Sequence, residues 1–264
     1  MKAEFNYAGC NVFVAGGTSG INLGIAEAFA RTGSNIGVGS RKQEKVGRAV
    51  AGLAKLTTGK AFGYCFDVRN AKAVETAIAG FAEEVGRIDV LVSGAAGNFP
   101  ALAHDISVNG FKAVVDIDLL GTYHVMKAAY PHMKKPGGSI INISAPQAVV
   151  PMSHQVHVCA AKAGVDMVTR CLAIEWGGEG LRVNSVIPGP IDGTEGMARL
   201  APTSEMRERV VGTVPMRRFG VPEDVARACL FLGSEAAGFV NGTIMTADGG
   251  WTQTGAALEL DAVT

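Results

Sequence analysis

The sequence predicts a doubly wound α/β fold in one domain, on three observations. Short β-branched runs alternate with longer amphipathic segments along 264 residues, glycine is frequent at 35, and no Pro- or Ser-rich linker divides the chain. Parallel strands need long crossovers, so this alternation implies a mostly parallel sheet of seven strands with helices on both faces. The strands read as Asn11–Ala15, Asn35–Val38, Ala61–Phe66, Asp89–Ser93, Ser139–Ile143, Arg182–Ile187 and Thr243–Thr246. One domain over 1–264 is the economical reading at this length, and ligands belong at the carboxyl ends of its strands.

The first strand feeds Gly16-Gly17-Thr18-Ser19-Gly20-Ile21-Asn22-Leu23-Gly24 and then the helical run from Ile25 to Ala30. Glycines let backbone approach a pyrophosphate, and the helix N-terminus offers it free N–H groups, so this strand, turn and helix read as a Rossmann-type dinucleotide site. The second strand ends in Val38-Gly39-Ser40-Arg41. No acid stands there to bond both ribose hydroxyls, whereas Arg41 can fork a 2′-phosphate, which selects NADP(H). After the fifth strand, Ala161, Val165, Val168 and Leu172 recur at helical spacing within Val158–Trp176, with Lys162 beside the stripe.

Composition narrows the partner. Lys plus Arg and Asp plus Glu number 24 each, so no charge footprint points to nucleic acid or to an anionic membrane, and a small molecule is left. The five cysteines are dispersed and odd in number, and the five histidines show no ligand spacing, so neither a disulfide framework nor a metal is expected. No stretch is apolar enough to span a bilayer, Met1–Asn11 lacks a leader's apolar run, and Asp261–Thr264 is no recognised address. A cytoplasmic protein is the resulting expectation.

The spacing Gly16-x3-Gly20, followed in order by Asp67-Val68, Ala95-Ala96-Gly97 and Pro188-Gly189-Pro190-Ile191, resembles the short-chain dehydrogenase/reductase family over almost the whole chain. The resemblance implies that NADP(H) is held by Gly16, Thr18, Ser19, Gly20, Ile21, Ser40, Arg41, Asp67, Val68, Ala95, Ala96, Gly97, Lys162, Pro188, Gly189, Ile191 and Thr194. Four positions depart from the family pattern. Its third loop glycine is Asn22, its tyrosine four residues before the lysine is Val158, its serine is Ala145 and its helix asparagine is Asp118. Valine donates no proton, so ordinary ketone reduction loses an acid worth about 10²–10⁴-fold.

A branch departing in the same way is the 2,4-dienoyl-CoA reductases, whose peroxisomal type this chain most resembles through Ala95-Ala96-Gly97-Asn98-Phe99, Asp116-Ile117-Asp118, Gln155-Val156-His157 and Gly193-Thr194-Glu195-Gly196. The resemblance implies hydride delivery into a conjugated acyl thioester and protonation at carbon by water. Lys162 would hold the ribose and support the developing negative charge, while Asp118, kept ionised by pairing, would orient the water. It implies substrate contacts at Arg69, Phe99, Ser107, Asn109 and Arg199 with an acyl-CoA, the arginines suiting CoA phosphates. His157 reads as packing or lining rather than catalysis. A reductase of another carbonyl, or an NADP(H)-binding protein without catalysis, stays open. The family's homotetramers imply assembly through helices at Asp116–Lys134 and His157–Trp176, with Gly249–Thr264 against a neighbour.

Overall fold

A computed structural model describes residues 4–254. The C-terminal address reading and most of the segment 249–264 lie outside them. Seven strands form one sheet in the order β3-β2-β1-β4-β5-β6-β7: β1 Asn11–Ala15, β2 Asn35–Ser40, β3 Ala61–Cys65, β4 Val90–Ser93, β5 Ser139–Ile143, β6 Arg182–Pro188 and β7 Ile244–Ala247. Every pairing is parallel, where the sequence suggested mostly parallel, and strand ends move by one or two residues.

Side-chain alternation explains the layers. Val12 and Val14 of β1 enter the core shared with helices α1 (Gly20–Arg31) and α9 (Pro222–Gly233), along with Phe29 and Val225. Phe13 and Ala15 enter the opposite core, with Phe81 of α3 (Ala71–Val85) and Met126 of α5 (Gly121–Ala129). Strands covered on both faces need apolar residues at consecutive positions, as β1 and β5 have. Helix α2 (Gln43–Leu53) completes the first layer, and α6 (Val156–Gly177), close to the expected Val158–Trp176, belongs to the second. Chain order reverses beside β1, whose neighbours are β2 and β4, opening a crevice at their carboxyl ends.

The helix expected over Asp116–Lys134 is corrected. Helix α4 (Val108–Val114) passes into a π-helical turn, Val115–Leu120, before α5 begins at Gly121. A π turn inserts a residue into the helical count without changing composition, so the two helices merge in a 3.6-residue reading. This turn carries Asp118, which it buries to 1% exposure. Short α7 (Glu195–Leu200) and α8 (Ser204–Thr213) follow β6 over the crevice.

Candidate active site

The glycine loop takes the geometry that its residues allow. Gly16 has φ +81° and a Cβ on it would lie 2.9 Å from Ala95 N, so backbone meets backbone where β1 and β4 end. Ser19 caps α1 without a side-chain hydrogen bond, leaving the first N–H groups of the helix open toward the crevice. Asn22, standing at the family's third loop glycine, has no positive φ. It lies in the first turn of α1 and donates from Nδ2 to Gly94 O at 2.6 Å, and a Cβ at Gly94 would collide with it.

Around this loop runs a cleft of about 520 Å³, within the range of small-ligand sites. All the residues that the sequence assigns to the cofactor line it, as do Asp118, Val158, Ala145 and Arg199. Its backbone-lined glycine turn, open helix N-terminus and Arg41 at the end of β2 fit a dinucleotide carrying an extra phosphate. Lys42 and Lys45 also line the cleft beside Arg41, Lys45 standing 3.9 Å from Glu195 at the start of α7. Sequence reading missed both lysines, although their spacing of one and four residues from Arg41 places them on the next helical turn.

Lys162 is 4% exposed, donates from Nζ to Ile143 O at 2.9 Å, and lies 3.6 Å from Asp118 Oδ2. Asp118 Oδ1 accepts the Gly97 N–H at 2.7 Å. Three segments thus converge: the end of β5, the π turn and the loop after β4. Burial pushes the Asp118 carboxyl up from its ordinary value, while Lys162 and the Gly97 N–H pull it down. Pairing was expected to govern this group, but burial is the larger influence. Val158 packs with Val114 and Ala161 on the cleft wall, where a tyrosine hydroxyl would otherwise stand.

The substrate residues are less gathered. Arg69 clasps Asp67, with Nη2 at 2.6 Å from Oδ2, and holds that carboxyl below its ordinary value. Ser107 caps α4, its oxygen accepting the Gly110 N–H at 3.0 Å, and Asn109 is exposed on the same helix. Phe99 packs on the fully buried His157, with ring centroids 4.5 Å apart, consistent with packing for that histidine. Of the five, Arg199 alone lines the cleft, reaching Asn98 O at 3.4 Å. No group of three or more His, Cys, Asp or Glu side chains suited to a metal occurs among the described residues.

Comparison with known proteins accords with this architecture. The family model described as Enoyl-(Acyl carrier protein) reductase matches residues 15–252. A peroxisomal 2,4-dienoyl-CoA reductase of Danio rerio is 41% identical over 239 residues, covering 90% of this chain and 80% of that protein. A peroxisomal 2,4-dienoyl-CoA reductase of Saccharomyces cerevisiae is 38% identical, covering 92% of this chain and 84% of its own length. A short chain dehydrogenase from Bacillus anthracis superposes with a TM-score of 0.81 at 36% identity, covering 92% and 96% of the two chains. The cytoplasmic expectation is overturned by these relatives, since the fish and yeast proteins are peroxisomal. It rested on the lack of a leader run or bilayer span and on a C-terminus read as no recognised address, whereas peroxisomal addresses are short receptor-read peptides that hydropathy does not register.

Proposed function

The chain is an oxidoreductase belonging to the short-chain dehydrogenase/reductase family, and we propose that it reduces a 2,4-dienoyl-CoA to an enoyl-CoA with NADPH. One observation carries the reading: the cleft keeps a buried Lys162–Asp118 pair where Val158 and Ala145 replace the side chains that would protonate and polarise a carbonyl. A chain that retains the lysine without the acid suits a substrate whose proton is needed at carbon.

When bound, NADPH would supply the hydride that a conjugated acyl thioester accepts at its far end. Everything else falls to the protein. Arg41, with Lys42 and Lys45 beside it, would hold the 2′-phosphate, and the open N-terminus of α1 would receive the pyrophosphate. Lys162, fixed by Ile143 O, hydrogen-bonds the nicotinamide ribose and supports negative charge as it spreads to the thioester oxygen. Asp118, anchored by the Gly97 N–H, orients a water that delivers its proton to carbon, the hydroxide left behind taking a proton from bulk solvent. The apolar surfaces of Val158 and Met152 exclude other water from the reacting carbons. Arg199, and Arg69 once released from Asp67, are the guanidinium groups available to the CoA phosphates. Phe99, Ser107 and Asn109, outside the cleft lining, are the residues this reading assigns to the acyl chain and CoA.

Names of the relatives support a peroxisomal setting for this activity. A homotetramer formed through α5 and α6 is part of the same reading, as is a single domain over 1–264. The test is to mix the purified chain with NADPH and a short 2,4-dienoyl-CoA and follow NADPH absorbance. Steady consumption is the expected result. Unchanged absorbance across several acyl lengths, with turnover of a 3-oxoacyl thioester instead, would transfer the assignment to carbonyl reduction.

A further inference from the structure

A second buried carboxylate stands behind Lys162. Asp166 lies one turn further along α6, is 3% exposed, and neither of its oxygens has a hydrogen-bond partner among the described residues. Ser144, the residue after the Ile143 whose carbonyl anchors Lys162, likewise has a buried hydroxyl without a partner. The groups facing Asp166 are the hydroxyls of Ser144 on the β5 loop and Ser185 on β6, together with Lys162 and Arg170 of its own helix. These four favour its charged form, and burial, the larger influence, pushes the carboxyl up from its ordinary value.

Asp118 differs in its contacts. It accepts an N–H at 2.7 Å and has the ammonium of Lys162 at 3.6 Å, so its charge is compensated by donors in place. An ionised Asp166 would have only the neutral hydroxyls of Ser144 and Ser185 facing it, neither hydrogen-bonded to it, and no cation in ion-pair contact among the described residues. A buried carboxylate with neither an N–H nor a cation in contact is driven toward the neutral acid, and the two carboxyls around one lysine therefore divide into a charged and an uncharged member.

We propose that Asp166 is a positioning residue that sets the charge of the site: neutral, it leaves Lys162 a single anionic partner, and ionised it opposes the reaction. The inference rests on the dienoyl-CoA reading for its consequence. Hydride addition makes the acyl group negative, and the net positive character of Lys162 is what meets it. A second anion one turn behind Lys162 cancels that support, so turnover falls as pH rises through the ionisation of Asp166. The same rise leaves substrate binding through the CoA phosphates largely unaffected, because those contacts lie elsewhere in the cleft.

The experiment uses the full chain, with Asp166→Asn, Asp166→Ser and Asp118→Asn. Infrared spectra are taken across pH alongside the pH profiles of kcat and KM with NADPH and a 2,4-dienoyl-CoA. Expected is a protonated-carboxyl carbonyl band that titrates away with rising pH, is absent from Asp166→Asn and persists in Asp118→Asn. Expected too is a fall of about tenfold in kcat over that interval in the parent, missing in Asp166→Asn. Should the Asn variant not fold, the Ser variant gives the same readings. A parent that folds without such a band, or an Asp166→Asn profile matching the parent, overturns the proposal. A parent that shows the band and reduces no dienoyl thioester overturns the functional reading and leaves the charge assignment standing.

Discussion

 Asp118 and Lys162, 44 positions apart in the chain, meet with Oδ2 and Nζ 3.6 Å apart, both side chains being almost fully buried. Removing one partner of such a buried pair leaves the other uncompensated, which costs about 3–5 kcal/mol. Asp118→Ala is therefore expected to lower the melting temperature clearly. Asp118→Asn, which keeps the shape, should mainly reduce kcat for a dienoyl-CoA by about 10²–10³-fold with NADPH affinity little changed. Calorimetry and steady-state kinetics separate the two effects, and an Asn variant with parental kcat would remove Asp118 from the reaction.

Cofactor choice is tested at Arg41. A charge-assisted contact to the 2′-phosphate contributes about 1.5–3 kcal/mol, so Arg41→Ala should weaken NADPH binding by roughly 10–100-fold and leave NADH binding nearly unchanged. Fluorescence titration with both cofactors reads this directly. Equal losses for the two would point to a general loop defect in place of phosphate recognition.

The bond from Asn22 to Gly94 O joins the start of α1 to the loop after β4. Asn22→Gly restores the family's usual residue, yet here it removes that bond and puts a glycine inside a helix. A loss of about 1–2 kcal/mol is expected, with weaker cofactor binding, measurable by denaturant unfolding and titration. An Asn22→Gly variant as stable as the parent would show that the contact contributes nothing.

Much of this arrangement was legible because it is local. The Gly16–Gly20 turn, the alternating strands and the Lys162 helix each declare themselves within a few residues. What stayed hidden depends on distance or register. The π turn that aims Asp118 into the cleft has the composition of an ordinary helix, and no neighbouring motif marks the buried Asp166. Arg69, assigned to CoA, is held by its neighbour Asp67, a competition that only coordinates reveal.

Acid stability should depend on Asp224. Its carboxylate accepts the Val221 N–H at 2.9 Å at the start of α9 and binds Arg218, with Nη1 2.6 Å from Oδ2, which holds the carboxyl below its ordinary value. A depressed folded pKa contributes stability above the unfolded value, and this is lost as pH falls through the folded one. Asp224→Asn is expected to lose about 1 kcal/mol at neutral pH and to converge on the parent in acid. Parallel melting curves at both pH values check this, and a constant difference would exclude ionisation as the cause.

Assembly can be probed on α6, where Ile174 is 83% and Met167 55% exposed. They are seven residues apart, two helical turns, so they share one face of the helix. Burying an isoleucine fully is worth about 1.5–3 kcal/mol, and a face repeated in a symmetric assembly gains that at each copy. Ile174→Arg replaces this with a charge that must be desolvated for subunits to meet. The variant is expected to sediment as a smaller species than the parent while its far-UV spectrum is unchanged. A parent that sediments as a monomer, or a variant with the parent's mass, would remove this face from the interface.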